Sequence, residues 1–228
     1  MAEITASLVK QLRERTGAGM MECKSALVEA KGELDEAEVV LRKRGIASAG
    51  KKASRDTRQG LIGTYIHHGG QLGVMVEINC ESDFVARTDV FQELVHDIAM
   101  HIAAADPRFI RKEDVTQDVI DKEKDIQKAR ALAEGKPEKM LEKITEGRMA
   151  KFYEEICLLE QPFVKEATLT VGQLVKTKIA KLGENITVAR FVRFKVGDAQ
   201  AGDTESETGS VASAPPAPAN PNPSAAAE

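Results

Sequence analysis

Apolar residues recur at helical spacing in three short segments at the start of the chain. Thr5 precedes a segment that carries Leu8, Val9 and Leu12 and closes at Gly17. That is the order of a capped helix: a threonine hydroxyl accepts from a first-turn amide, and glycine takes the left-handed conformation that ends helices. A second segment opens near Met20, runs through Ala26 and Leu27 and stops near Gly32, and a third, with Leu34, Ala37, Val40 and Leu41, stops at Gly45. Segments this short cannot each bury a face alone, so the spacing predicts one three-helix bundle over residues 1–45. Residues 46–59, rich in Ala, Ser, Lys and Arg, read as a mobile linker.

The period then falls to two. Leu61 to Ile66 and Leu72 to Cys80 read as strands joined through His67-His68-Gly69-Gly70, with Val74, Val76, Ile78 and Cys80 on one face. Ser82 caps the next helix, and Asp83 suits the positive end of its dipole. Phe84 lies seven residues before Phe91, and Leu94, Val95, Ile98 and Ile102 continue the stripe. Spacing therefore predicts one long helix to Asp106-Pro107 with Phe84 in the core. Thr116 opens a charged helix to Glu134, Gly135-Lys136-Pro137 turns the chain, and a second helix reaches Cys157. The thin stripe of Val119, Ile126, Leu141, Ile144, Phe152 and Ile156 predicts a protruding antiparallel helical hairpin over about 116–157. Gln161-Pro162-Phe163-Val164 is extended, and a helix through Leu174 and Ile179 ends at Gly183. Ile186, Val188, Val192, Phe194 and Val196 then alternate as a third strand. The predicted class is α+β: a three-helix module, then over 60–197 a small antiparallel three-stranded sheet packed by helices and carrying the hairpin. Residues 198–228 are Ala, Pro, Ser, Asn and acid, too poor in apolar surface to offset chain entropy, and read as disordered.

Composition narrows the function. With 228 residues, 30% of them charged, and no apolar run of signal-peptide or membrane-span length, the chain reads as a cytoplasmic protein without a membrane role. Cys23, Cys80 and Cys157 are widely spaced and odd in number, so they read as reduced, buried thiols rather than a disulfide framework or metal clip. The net charge of -4 hides an acidic end: from Asp198 onward there are three Glu, two Asp and no Lys or Arg, leaving +1 for the rest. A nearly neutral body argues against direct nucleic-acid binding, and the cluster Lys51, Lys52, Arg55 and Arg58 has no aromatic for base stacking. Gly45 to Lys51 matches the first part of a phosphate loop but follows a helix, not a strand, and Lys52 stands where Ser or Thr would hold magnesium. The neighbours His67 and His68 point to opposite faces if on a strand and lack a carboxylate or Cys at ligand spacing. Four dispersed His and three separated Cys assemble no nucleophile, base or ligand set. The reading is therefore not an enzyme, with no cofactor and no metal.

Two stretches carry a resemblance. Leu12 to Leu27, with Arg-Thr-Gly-Ala-Gly-Met-Met at its centre, and Asn79-Cys80-Glu81-Ser82-Asp83-Phe84-Val85-Ala86 are very similar to the bacterial elongation factor Ts family. The family's second signature is usually Asn-Cys-x-Thr-Asp-Phe-Val-Ala; Ser82 stands where Thr is commoner, and both residues cap. The likeness runs collinearly from Ile4 to Val196. It implies a guanine-nucleotide exchange factor for elongation factor Tu, with an N-terminal module of ubiquitin-associated-like fold. Ser82, Asp83, Phe84 and Val85 would form the region that disturbs the magnesium and phosphate site of Tu, which sets the resemblance against the buried reading of Phe84. Arg13, Met20, Met21 and Lys24 match contact positions of the module, although spacing equally allows the methionines as core and the cations as solvated surface. His67 or His68 matches an interface histidine. Gln161-Pro162-Phe163-Val164 matches a contact motif, with Val164 carried over and Lys165 departing from the apolar residue of some members. Long members have two sheet-containing halves and this chain has one, so the resemblance also implies a homodimer binding two Tu molecules. The rival reading is a helical adaptor that uses the bundle alone and needs no Asp83-Phe84 feature.

Overall fold

The computed structural model describes residues 4–198. Three helices open it: α1 (Ala6–Thr16), α2 (Met20–Glu29) and α3 (Leu34–Lys52). Thr5 caps α1 by accepting from the Leu8 amide at 3.3 Å, and Gly17 ends it at φ 69°. Val9, Leu12, Cys23, Ala26, Leu27 and Ala37 form the bundle's own small core.

Helix α3 departs from expectation. It does not stop at Gly45 but runs on to Lys52, so residues 46–52, read as linker, are helical. Gly45 is there for close approach rather than for a turn: a Cβ added to it would lie 2.9 Å from the Cβ of Ala180. Small residues let this half of α3 lie against α8 (Val171–Leu182), and Ala49 is buried in the main core. The following stretch is held as well, because the buried Asn185 side chain donates to the carbonyls of Ala53 (3.3 Å) and Arg55 (2.8 Å).

The main core lies between helices and one face of an antiparallel sheet of β1 (Gln59–Ile66), β2 (Leu72–Cys80) and β5 (Ile186–Lys195), in the order β1-β2-β5. The three-stranded sheet and the inward set Val74, Val76, Ile78 and Cys80 stand as the alternation predicts. The third strand is out of step after its middle. Glu77 pairs with Arg190 but Ile78 pairs with Val188, and this bulge shifts the parity, so Phe191 points inward and Phe194 is 71% exposed.

The long helix predicted from Ser82 is two helices. A single turn, α4 (Asp83–Ala86), is followed by α5 (Asp89–Ala105), and Thr88 caps the second by accepting from the Phe91 amide at 3.3 Å. Helix α5 carries Phe91, Leu94, Val95, Ile98 and Ile102 into the core against β1 and β2. Helices α6 (Gln117–Ala133) and α7 (Glu138–Ile156) pack chiefly on each other as the predicted hairpin, rooted by Val115, Ile156 and Cys157. The chain then forms a two-stranded element of β3 (Pro162–Phe163) and β4 (Glu166–Thr170), the latter unforeseen. The tail expectation falls, from residue 199 on, outside the described residues.

Candidate partner-contact site

The site is built from the end of β2. Ser82 leaves the strand with extended backbone, and its oxygen accepts from the Val85 amide at 3.3 Å, capping α4. The same hydroxyl donates to Glu184 Oε1 at 2.6 Å, while the Ser82 amide donates to Glu184 Oε2 at 2.9 Å. Donation to the carboxylate fixes the hydroxyl proton and leaves a lone pair for Val85. The neighbouring residues repeat the arrangement in reverse: the Asn185 amide donates to Glu81 Oε1 at 2.6 Å. Two dipeptides, Glu81-Ser82 and Glu184-Asn185, thus grip each other at the point where α4 begins. A helix of one turn cannot hold itself up, so this grip supplies what the helix lacks.

Beneath α4 the anchors are buried. Val85 and Ala86 sit in the core, and the Cys80 thiol donates to the Ser82 carbonyl at 3.1 Å. Burial, with a smaller contribution from the Glu184 charge, raises the pKa of that thiol. Above it the chemistry is exposed. Asp83 pairs with Arg87 at 2.8 Å, an open i,i+4 pair worth at most about 1 kcal/mol and so easily exchanged for another partner. Phe84 is 77% exposed, against the core position its spacing predicts. The cause is the break at Thr88, whose hydroxyl donates to the Val85 carbonyl at 2.7 Å and turns Phe84 off the stripe. Leaving a phenyl ring in water forgoes about 2–3 kcal/mol of burial, which is the cost expected of a side chain kept for a partner. Val85 contributes differently from its neighbours: its side chain is an anchor, not a contact surface.

The other expected contacts lie on separate elements. Arg13, on α1, and Met20, Met21 and Lys24, on α2, are all exposed. Val28 is exposed one turn beyond Lys24, extending an apolar strip with Met21 that the sequence reading missed. His67 and His68 are exposed in the β1–β2 loop, where the Tyr65 hydroxyl and His67 Nδ1 are 3.1 Å apart. The length of β2 separates this loop from Ser82, roughly 25–30 Å at about 3.3 Å per residue. Val164, 51% exposed, stands in the two-residue turn between β3 and β4. Reasoning from sequence also missed Glu184, Asn185 and Arg87, none of which belongs to a periodic pattern.

Among the described residues, no three His, Cys, Asp or Glu side chains are grouped to hold a metal ion. What the fold and site define is a partner-binding protein that presents one exposed aromatic beside an acid from a firmly anchored turn. The comparisons give that class its family. The family model for elongation factor TS matches residues 6–198, and the chain belongs to this family. It is 91% identical over 208 residues to elongation factor Ts of Solibacter usitatus, covering 91% of this chain and 98% of that one. To the Koribacter versatilis protein of the same name it is 64% identical over 195 residues, covering 86% and 89% of the two chains. To that of Carboxydothermus hydrogenoformans it is 55% identical over 211 residues, covering 92% and 97%. The protein is accordingly a nucleotide-exchange factor for elongation factor Tu in translation elongation, a cytoplasmic process, and makes and breaks no bonds itself. The helical-adaptor reading is set aside.

Proposed function

We propose that exchange runs through Asp83 and Phe84, which enter the magnesium and phosphate region of Tu and weaken its hold on GDP. The observation that carries this reading is the exposed Phe84 on a turn whose base is fixed by Val85, Ala86 and the Ser82–Glu184 bonds. Thermodynamic linkage supplies the mechanism: a factor that binds nucleotide-free Tu more tightly than Tu carrying GDP must, reciprocally, weaken GDP binding. Affinity comes from elsewhere. The N-terminal bundle of α1, α2 and the first half of α3 is the docking module, with Arg13, Met20, Met21 and Lys24 on its outer surface, and His67 or His68 and Val164 add contacts from the core.

The test is the rate at which labelled GDP leaves Tu. Phe84→Ala lowers the maximal catalysed rate far more than it weakens complex formation in a pull-down, and Asp83→Ala acts in the same direction. A folded Phe84→Ala protein with the wild-type release rate removes the assignment.

The homodimer with two Tu bound also belongs to this reading. The sheet's outer face carries Ile62, Ile66, Met75 and Phe194, all exposed, and β1 and β5 are its outer strands among the described residues. Glu77 and Arg190 pair at 2.7 Å beside this apolar row, so a two-fold copy meets apolar with apolar and acid with base. Light scattering across a dilution series tests it; a monomer at every concentration, free and with Tu, refutes it.

A further inference from the structure

Val164 and Lys165 make an unlikely turn. They close the β3–β4 connection in two residues, and two-residue hairpin turns favour glycine or asparagine in left-handed conformations. Neither residue adopts a positive φ, and a β-branched residue has no preference for turns. Something other than turn chemistry holds the chain there. That support comes from one face of α5. His101, 1% exposed, accepts the Val164 amide proton at Nδ1 across 3.2 Å. Its Nε2 lies 3.0 Å from Gln161 Oε1, and because Nδ1 is the acceptor, Nε2 must carry the proton. Gln161 completes the chain by donating to the carbonyls of Glu155 (2.7 Å) and Ala105 (3.4 Å). One turn earlier on α5, the buried Asp97 binds Lys165 Nζ at 2.6 Å. Phe163 is buried with its ring centre 6.0 Å from that of His101, so the turn is fixed on its inner side while Val164 faces out. Burial lowers the His101 pKa, only partly offset by the bond with Gln161, which favours the neutral ring this network requires.

We propose that His101 is a positioning residue for Tu binding: with Asp97 it clamps the 161–165 segment so that Val164 is presented to the partner in a fixed, prepaid conformation. The inference rests on the reading that Val164 contacts Tu. Holding the turn before binding removes an ordering cost from association, so its loss acts on affinity and not on the step at the nucleotide.

The experiment measures catalysed GDP release from Tu against concentration of the full-length chain, giving KM and kcat separately. His101→Asn places an amide oxygen near the Nδ1 position and keeps the Val164 bond, whereas His101→Gln reaches toward Gln161 and loses it. His101→Gln is expected to raise KM about fivefold to tenfold, the effect of one buried hydrogen bond, with kcat within twofold. His101→Asn recovers most of that loss. Val164→Ala raises KM, and adding it to His101→Gln raises KM no further, because both act through the same contact. Three results overturn the clamp: equal KM for the Asn and Gln variants, a fall in kcat instead of a rise in KM, or full multiplicative effects in the double variant. If Val164→Ala leaves KM at the wild-type value, it is the reading of Val164 as a contact that fails. Circular dichroism of the two His101 variants confirms that they are folded in each comparison.

Discussion

Replacing Ser82 with Ala removes one hydroxyl that serves two bonds. It caps α4 by accepting from Val85, and such a cap is worth about 1 kcal/mol. It also donates to the Glu184 carboxylate, and a hydrogen bond to a charged group contributes about 1.5–3 kcal/mol when buried. The site is only half-buried and Glu184 keeps the Ser82 amide, so the second term is discounted and the sum taken as about 2 kcal/mol. Because α4 has one turn and no reserve of its own, this loss falls on the equilibrium between the formed and the opened turn, a factor of about 30. Native-state hydrogen exchange reads that equilibrium directly. The Ala86 amide, bonded to the Ser82 carbonyl at 3.3 Å, and the Arg87 amide, bonded to Asp83, should lose protection about 30-fold in the variant. In the same sample the maximal rate of GDP release from Tu falls, while the half-saturating concentration moves less. Ser82→Thr, which keeps both functions of the hydroxyl, restores protection and rate. Unchanged protection of Ala86 in Ser82→Ala would refute the account of how the turn is held; lost protection with an unchanged release rate would refute its link to exchange.

A Cβ at Gly63 would lie 2.2 Å from Val95 Cγ1, so Gly63→Ala should cost about 1–3 kcal/mol through overpacking and lower Tm by several degrees, and Val95→Ala in the same chain should recover much of it. The Cys157 thiol is fully buried and pushed up to about 11, by burial first and by Glu160 next. Between about pH 9 and 11 the unfolded chain then binds fewer protons at this site than the folded one, so stability falls as pH rises, by about 2 kcal/mol. Urea midpoints at pH 8 and 10.5 should show this loss in the wild type and a smaller one in Cys157→Ala. Phe194→Lys, on the outer face of the sheet, should shift a dimer toward monomer in light scattering without lowering Tm. Deleting residues 199–228 should leave catalysed GDP release nearly unchanged.

The sequence was most legible where burial sets a simple period. The strands β1 and β2, the α6–α7 hairpin and the first two caps stand where alternation, helical spacing and turn residues put them. It was least legible where a side chain does something other than fill a face. Gly45 carries the same letter as a helix stop but serves a close contact with Ala180, which only the tertiary packing of α3 on α8 reveals. Phe84 fits the stripe of α5 in number but not in space, because Thr88-Asp89 repeats the capping pattern of Ser82-Asp83 and starts a new helix. That second cap was the available signal for an exposed Phe84. Glu184, Asn185 and His101 left no comparable trace, since their partners lie 102, 130 and 63 residues away in the chain.

The two positioned segments differ in what their rigidity achieves. The proposed wedge must resist being pushed back, and the turn bearing Phe84 is tied to its neighbours by a carboxylate on both its first amide and its cap, with Val85 and Ala86 buried below. Val164, the proposed docking residue, needs only to be found in the right place, and it is held by a single backbone bond to His101 and one ion pair beside it. With these proposed roles, disturbance at Ser82 and Glu184 should reach the maximal rate, and disturbance at His101 and Asp97 the concentration needed to attain it. If, as proposed, the bundle, the loop and Val164 bind Tu alike with and without nucleotide, the binding energy spent there cannot by itself drive GDP out; only a contact that differs between the two states can. In the proposed mechanism the exchange function therefore rests on the few atoms of Asp83 and Phe84 and the affinity on the rest of the surface.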